Sequence, residues 1–568
     1  MSVYERLGLP HSWRFLTHYT VLQSDFEEGA PFIGLWERWK RDPARPQRLH
    51  VVALTRTLID AQALRTRLRA QILPEQHALV EQLVAQWPLN LPGTHRLDFE
   101  GMAVTLTLVV GPVELTLPRL AVWVDAVLFS DLVPHLYGVH DRVWHDALVR
   151  IARDPAQVLL ALPDGQTIRG CHDQDPAKFV RSPTDRMVQQ FQVDPRLRHA
   201  LVVGAGIAGA GIAHALALRG WRVQVLDVRQ RRTQQHGGHL AAALTPMVTR
   251  DDDVRARLSR AGSLRAQARW SHVGQDVLWR CGALQLQRVS GRIVDLAALA
   301  DGLGFPSEWV RYVEPAEASE IAGISLNRGG LYFPTAARIR PETLIDVLLE
   351  TPNIERLDVH VERFTRRNGQ WEVMDANGEV VAAAPQLILA CAMGAQGLLR
   401  RSQLLESGER LAGMHALGGE ITLLPQEALV GGPRCIVSGD GYVLPAVQGH
   451  CIVGSSYVHG AQVIEPSLEG ALDNIARASS LLGQPKLPAT LNDTLAANTA
   501  GWAGWRAVLP GRLPAVGPWV QAEGLWVAAG FASRGLTWSS LAGDLIAAAL
   551  SGEPLPLERD IMDKISQT

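Results

Sequence analysis

Lysine is nearly absent from this chain: Lys40, Lys178, Lys486 and Lys564 are the four in 568 residues. Arginine supplies almost all of the positive charge, and its planar fork suits phosphate and carboxylate, although a GC-rich genome gives the same bias. No excess of either sign exists, with 55 basic against 57 acidic side chains and a formal net charge of -2. A global positive field that would gather nucleic acid is therefore excluded, and any RNA partner needs a local patch. Cysteine is scarce: Cys171, Cys281, Cys391, Cys435 and Cys451 form no C-x-x-C pair. Neither a zinc site nor a disulfide framework follows from such spacing, and reduced thiols are expected. No apolar run approaches the ~20 residues of a membrane helix, and the opening Met-Ser-Val-Tyr-Glu-Arg-Leu lacks a basic-then-apolar layout. A cytoplasmic protein without metal is the expectation. Repeats, low-complexity tracts and long blocks of like charge are also missing.

What is present is an ordinary globular composition, 47% hydrophobic and 20% charged, long enough for two or three domains. Residues 180–198, with Ser182-Pro183-Thr184 and Asp194-Pro195, read as a connector. Before it, 49–54, 104–110 and the short run 125–129 have strand character, while 60–70 and 77–86 carry helical spacing. Alternating strands and helices predict a parallel α/β domain.

After the connector, 199–203 is a continuous apolar strand, 207–219 a helix stopped by Gly220, and 222–226 a second strand. Between strand and helix lies A-L-V-V-G-A-G-I-A-G-A-G, which places Gly204, Gly206 and Gly209 in a G-x-G-x-x-G pattern. Gly204 allows the tight turn, Gly206 lets backbone approach a pyrophosphate, and Gly209 lets helix pack closely on strand. The helix N-terminus offers free N–H groups to the phosphates. Asp227 ends the second strand, where a carboxylate accepts from ribose hydroxyls and disfavours a 2′-phosphate. A lone glycine pattern is weak evidence; strand, helix and acid together make it strong.

That fingerprint leaves NAD and FAD open. Residues 525–529 form another apolar strand, and Gly530-Phe531-Ala532-Ser533-Arg534-Gly535-Leu536 opens a helix running through Ala549. A second strand-glycine-helix unit aims backbone N–H groups at a ligand, as the charge developing on a flavin ring requires. Two such turns in one chain favour FAD.

Residues 199 to 560 resemble the FAD-dependent oxidase half of the bacterial bifunctional tRNA 5-methylaminomethyl-2-thiouridine biosynthesis proteins, a branch of the D-amino-acid oxidase superfamily. The segments that carry the resemblance are A-L-R-G-W-R-V-Q-V-L-D, L-T-P-M-V-T-R-D-D-D, R-C-G-A-L-Q-L, L-Y-F-P, S-G-D-G-Y-V-L-P, C-I-V-G-S-S-Y, L-P-A-V-G-P and S-R-G-L-T-W. More faintly, Q-L-V-A-Q-W-P-L-N-L-P-G-T-H-R-L-D-F resembles the methyltransferase domain that precedes the oxidase in that family. The resemblance implies an oxidase that removes the carboxymethyl group from carboxymethylaminomethyl-uridine at the tRNA wobble position. It also implies a methyltransferase that uses S-adenosylmethionine on the exposed amine.

The N-terminal domain departs from the family at three places. The family's G-F-G-T-G-L-N-F falls on 25–32, where Gly29 alone keeps its place and Asp25 and Glu27 add side chains. The ribose-holding acid falls on Thr55, and the D-G-F-A-P segment on 130–134 with its acid displaced to Asp131. A carboxylate in the glycine turn would repel the cofactor's own carboxylate. The expectation is a domain that no longer binds S-adenosylmethionine and serves as scaffold or tRNA-docking module. In the oxidase half, Gly237-Gly238-His239 stands for the family's S-G-N, Phe333 to Arg338 for Y-P-x-G-G-W, and Pro510-Gly511 for R-D. Those changes bear on substrate more than on cofactor.

The expected architecture is α/β: a Rossmann-like methyltransferase-type domain over residues 1–185, a linker at 186–198, and an oxidoreductase over 199–568. Within the last, about 199–280 and 500–560 form a two-part FAD-binding Rossmann domain around an inserted antiparallel-sheet substrate domain. Candidate cofactor-binding residues are Gly204, Gly206, Ile207, Ala208, Gly209, Asp227, Gly237, Gly238, Val361, Gly394, Gly530, Ser533, Arg534, Gly535 and Leu536. Oxidising an N–CH2–COO⁻ group needs a neutral amine, a hydride path to the flavin and a partner for the carboxylate; no general base is obligatory. Arg534, then Arg506 or Arg338, match the carboxylate as bidentate forks, while Tyr442 and Tyr457 either line the flavin face or are core aromatics. A small-molecule amine or amino-acid oxidase, and a flavin- or tRNA-binding module without turnover, remain as alternatives. A monomer is favoured.

Overall fold

The computed structural model describes residues 5, 7–129, 142–154, 158–161, 167–169, 184, 197–228, 239–289, 291, 293–407, 409–429, 431–458, 460, 463–483 and 501–566. Two compact units divide the chain, residues 1–198 with 544–566 and residues 199–543 with 567–568.

The first unit is built on a seven-stranded sheet in the order Gly93–Phe99, Val104–Val110, Arg48–Thr55, His18–Gln23, Ala126–Leu128, Leu159–Ala161, Thr167–Arg169. Its central strands are apolar throughout because both faces are covered. Val21, Val51, Ala53, Leu106 and Leu108 enter one core with the helices Ala30–Arg41, Ala61–Gln71 and His77–Ala85. Leu22, Val52, Leu54 and Val109 enter the opposite core, with Leu148 and Ile151. The helix Ala61–Gln71 starts where Asp60 accepts from the Gln62 and Ala63 N–H groups at 3.0 and 2.9 Å. Strands and helices thus stand where the spacing puts them, with one correction. The outer pairs, Gly93–Phe99 with Val104–Val110 and Leu159–Ala161 with Thr167–Arg169, are antiparallel, so the sheet is mixed. Arg96 and Asp98 interrupt the apolar pattern of the first edge strand and conceal it in the sequence.

In the second unit a six-stranded sheet runs Ile354–Asp358, Arg222–Asp227, His199–Val203, Gln386–Leu389, Leu525–Ala529, Ala515–Pro518, and its final pair alone is antiparallel. The helices Ile207–Ala217 and Gly535–Ser551 cross at glycine: a Cβ on Gly211 would stand 2.8 Å from the Ser539 carbonyl oxygen. The chain segment between the early and late parts of this sheet forms an eight-stranded sheet in the order Arg311–Val313, Gly330–Phe333, Ala283–Leu286, Ile436–Ser438, Tyr442–Val447, His450–Gly454, His415–Pro425, Gly501–Val508. It is antiparallel except where Ala283–Leu286 lies parallel to Ile436–Ser438. Among the described residues no helix is long and apolar enough to cross a membrane.

Candidate functional site

The strand His199–Val203 ends in Gly204 at φ 106°, a conformation that favours glycine, and a Cβ there would stand 2.7 Å from the Ala390 carbonyl oxygen. On Gly209 a Cβ would run into the Gly204 carbonyl, whereas on Gly206 it would meet nothing within 4 Å. The turn is therefore closed on its inner side by backbone and open at the start of the helix Ile207–Ala217, where Ile207 and Ala208 give the first turn. One Asp227 carboxylate oxygen accepts from the Ala205 N–H at 2.7 Å and the other from the Val228 N–H at 2.8 Å. The acid is thereby fixed beside the glycine turn. Such a cradle fits the ribose and pyrophosphate of a dinucleotide.

Other predicted residues gather around the same sheet. The strand Ile354–Asp358 pairs with Arg222–Asp227, and Val361 follows it into the core shared by Val203 and Leu226. Gly394 lies in the first turn of the helix Met393–Arg401, its N–H donating to the Cys391 carbonyl at 2.9 Å. Burial pushes the Cys391 thiol up to about 12, so it is a neutral wall of the cradle. Gly237 and Gly238 lie outside the described residues.

The late turn leaves Leu525–Ala529 at Gly530, φ 72°, where a Cβ would collide with the Leu509 side chain. Ala532 donates its N–H to the Ala507 carbonyl at 3.0 Å, and Ser533, Arg534, Gly535 and Leu536 lead into the helix Gly535–Ser551. Arg534 turns inward, with Nη1 donating to the Thr245 carbonyl at 3.0 Å. Burial lowers its guanidinium from the ordinary arginine value, and the Tyr457 phenol acts against that shift.

Arg506 sits on the edge strand Gly501–Val508 of the eight-stranded sheet, whose neighbour His415–Pro425 pairs Gly419 with Gly504 and Ile421 with Trp502. Its Nη2 donates to Ser455 Oγ at 3.3 Å, the guanidinium carbon lies 5.0 Å from the centre of the Tyr457 ring, and Nη1 is buried without a partner. Three large side chains lie flat over glycine. Arg506 covers Gly419, Trp502 covers Gly504, and the Tyr442 hydroxyl would stand 3.0 Å from a Cβ on Gly454. Trp502 is backed by His239, ring centres 4.3 Å apart. Desolvation pushes the Tyr442 phenol up to about 12, against the pull of Arg506, so it remains a hydrogen-bond donor at neutral pH.

Of the predicted substrate-side residues, Arg506 and Tyr442 share one sheet face, and Arg534 interacts electrostatically with the Tyr457 that covers Arg506. Tyr442 opens the strand Tyr442–Val447, but Tyr457 lies beyond the end of His450–Gly454 rather than on a strand. Arg338 is engaged elsewhere, donating to the Ala446 carbonyl at 2.7 Å and lying over Trp279. Sequence reasoning missed Gly419, Gly504, Ser455 and Thr245. Ser455 lies within the quoted C-I-V-G-S-S-Y segment, while the glycines carry no local signal.

The corresponding turn in the first unit is built differently. After His18–Gln23, Phe26 is buried at 3% exposure, stacks on Trp87 at 5.5 Å, and presses on Gly29 so that a Cβ there would stand 2.6 Å from its ring. Glu28 adopts φ 58° and pairs with Arg67, and Thr55 donates its hydroxyl to the Thr57 carbonyl at 2.9 Å. Gln23 ends the strand with both side-chain amide atoms buried and unpartnered. The segment 130–134 lies outside the described residues.

A family model described as FAD dependent oxidoreductase matches residues 199–549, and one described as S-adenosyl-L-methionine-dependent methyltransferase matches 74–147, a span that excludes the turn at 25–32. The tRNA 5-methylaminomethyl-2-thiouridine biosynthesis bifunctional protein MnmC of Cupriavidus metallidurans is 34% identical, over 98% of this chain and 89% of that protein. Its counterpart from Thiobacillus denitrificans is 31% identical, over 98% and 91%. Among solved structures, glycine oxidase from Geobacillus kaustophilus matches with a TM-score of 0.51 and 18% identity, covering 65% of this chain and 99% of that one, a likeness of fold.

Proposed function

The chain belongs to the family of bifunctional tRNA 5-methylaminomethyl-2-thiouridine biosynthesis proteins, and from that premise we propose that it removes the carboxymethyl group of carboxymethylaminomethyl-uridine at the tRNA wobble position, leaving aminomethyl-uridine. It is an FAD-dependent oxidoreductase acting on a CH–NH group. The observation that carries the substrate reading is Arg506, one of whose donors is buried without a partner on a sheet face beside Tyr442 and Tyr457.

The turn at Gly204, Gly206 and Gly209 with Asp227 would hold the adenosine and pyrophosphate end of FAD, and the turn from Gly530 to Leu536 the flavin end. FAD, when bound, supplies the acceptor for a hydride from the N–CH2 carbon. Arg506 takes the carboxylate of the departing group as a charge-assisted pair, which fixes that carbon. Arg534, already bonded to the Thr245 carbonyl, stands second in this role and adds positive charge. Tyr442, neutral at neutral pH, offers its hydroxyl as a hydrogen-bond donor. Hydrolysis then yields the primary amine and glyoxylate.

The first unit has lost the family's second activity, S-adenosylmethionine-dependent methylation of that amine, and serves here as scaffold or tRNA-docking module. Support comes from the Phe26 ring against Gly29, the charged Glu28 and the absence of an acid at Thr55. In functional terms residues 1–185 are the methyltransferase-like domain, 186–198 the linker and 199–568 the oxidoreductase, acting as a cytoplasmic monomer on tRNA. Mass spectrometry of wobble nucleosides in tRNA from a deletion strain tests this. Accumulated carboxymethylaminomethyl-uridine is expected, and an unchanged nucleoside profile refutes the reading.

A further inference from the structure

Gly419 has no side chain, yet its position is the most crowded on the sheet face that carries Arg506. A Cβ built there would overlap Arg506 Nη1 and stand 2.7 Å from Cζ and 2.9 Å from Nη2. Every one of those atoms belongs to the guanidinium, and no backbone atom is among the three nearest. Gly204 and Gly209 differ, because there the obstacles include carbonyl groups of the main chain. A methyl group at 419 is accommodated by lifting a flexible side chain, with the sheet left as it is. At 204 or 209 the fold itself must give.

The surroundings make that lift consequential. Gly419 pairs with Gly504 across the strands, so the floor beneath the guanidinium is bare on both. Over Gly504 lies the Trp502 ring, held from the other side by His239, and it closes that direction. Ser455 Oγ takes Nη2 at 3.3 Å, and the Tyr457 ring lies 5.0 Å from Cζ. The guanidinium is thus seated between a glycine below, a hydroxyl at one end and an aromatic ring. Its Nη1 is buried without a partner.

We propose that Gly419 is a positioning residue for the oxidation: its bare backbone, with Ser455, sets where the Arg506 fork lies and so selects substrates that carry a carboxylate one carbon from the oxidised amine. The inference rests on the assignment of Arg506 to the carboxylate. Its sign is definite. Any side chain at 419 raises the fork off the sheet, and a displaced charged hydrogen bond costs tenfold or more in binding, about the effect of losing one such bond.

The test uses the FAD-loaded full chain and two probes, N-methylglycine and its methyl ester, with oxidation followed over a range of probe concentrations and flavin reduction read from the loss of oxidised-flavin absorbance. Gly419→Ala is expected to keep flavin content and melting temperature and to raise KM for N-methylglycine about tenfold or more, while the ester is oxidised as by the parent. The preference for acid over ester therefore collapses, which a general loosening of the sheet would not produce. Ser455→Ala, which leaves the strand glycine in place, should shift the same ratio in the same direction by a smaller factor. An unchanged acid-to-ester ratio in Gly419→Ala, with Arg506→Ala strongly impaired on the acid, overturns the role of Gly419 and leaves the carboxylate site standing. Arg506→Ala that treats acid and ester like the parent overturns the assignment of Arg506, and the inference with it.

Discussion

Each unit of this chain begins with the same construction, a buried parallel strand that turns into a helix, and the two turns are lined in opposite ways. After His199–Val203 the turn is lined by backbone, with Gly209 pressed on the Gly204 carbonyl and Asp227 tied to the Ala205 N–H at 2.7 Å. After His18–Gln23 it is lined by side chains, with Phe26 against Gly29 and Glu28 paired with Arg67. A turn emptied of side chains leaves room at a helix N-terminus for phosphate, and a turn filled with them becomes core. The same topology thus leaves an open turn in one place and a filled one in the other.

The largest effect is expected where the first unit is held by charge. Glu553, 6% exposed, bridges Arg48 at 2.8 Å and Arg96 at 2.6 Å. Glu553→Ala removes the buried carboxylate that bridges both arginines and should destabilise that unit by about 3–5 kcal/mol in urea unfolding, with bound flavin unaffected. Loss of flavin at the same urea concentration would show that the two turns are not independent.

Next comes Gly209→Ala, which drives a methyl group into the Gly204 carbonyl and should lower FAD affinity on the order of a hundredfold, an overpacking effect near 3 kcal/mol. Flavin absorbance after gel filtration measures it. A fully yellow variant would break the comparison at its stronger end.

Acid sharpens the contrast further. Burial holds the His18 imidazole down to about 4, with Arg48 opposing protonation and Glu553 favouring it. In the unfolded chain the same ring titrates near its ordinary value, so the unfolded state takes up the proton first. The stability of the first unit should be complete above about pH 6.5 and fall by roughly 2 kcal/mol as pH drops toward 4. His18→Gln should flatten that slope in a pH series of melts, whereas an unchanged slope would place the acid sensitivity elsewhere.

The smallest expected signal is none at all. Calorimetric titration of the full chain with S-adenosylmethionine should give no binding heat, and micromolar binding would return the filled turn to the class of cofactor sites. Gln23, whose amide is buried without a partner, is where such a ligand would be sought.

How much of this was legible depends on the range over which each constraint acts. The turn at Gly204 was readable because strand, glycines, helix and Asp227 lie within one short stretch and each glycine answers a local steric demand. The filled turn at Asp25 to Gly29 was readable as a departure, but not as Phe26 packed on Trp87, since the partner comes from a distant helix end. Gly211, Gly419 and Gly504 look like any other glycine in the sequence. What makes Gly211 and Gly419 necessary is a helix or an arginine contributed by a remote segment, and Gly504 lies under the Trp502 ring two residues away on its own strand. The edge strand Gly93–Phe99 escaped notice for a related reason. Arg96 and Asp98 read as surface, and the acid that buries Arg96 lies far along the chain.

That distance has a bearing on how the protein is made. Glu553 is translated 505 residues after Arg48 and 457 after Arg96. Until then the sheet that leaves the ribosome first lacks the carboxylate that bridges these two arginines, although Asp98 already lies 3.8 Å from Arg96. A polypeptide that stops short of Glu553 lacks that bridge, so this link in the earliest-made sheet closes only after the far end of the chain has been translated.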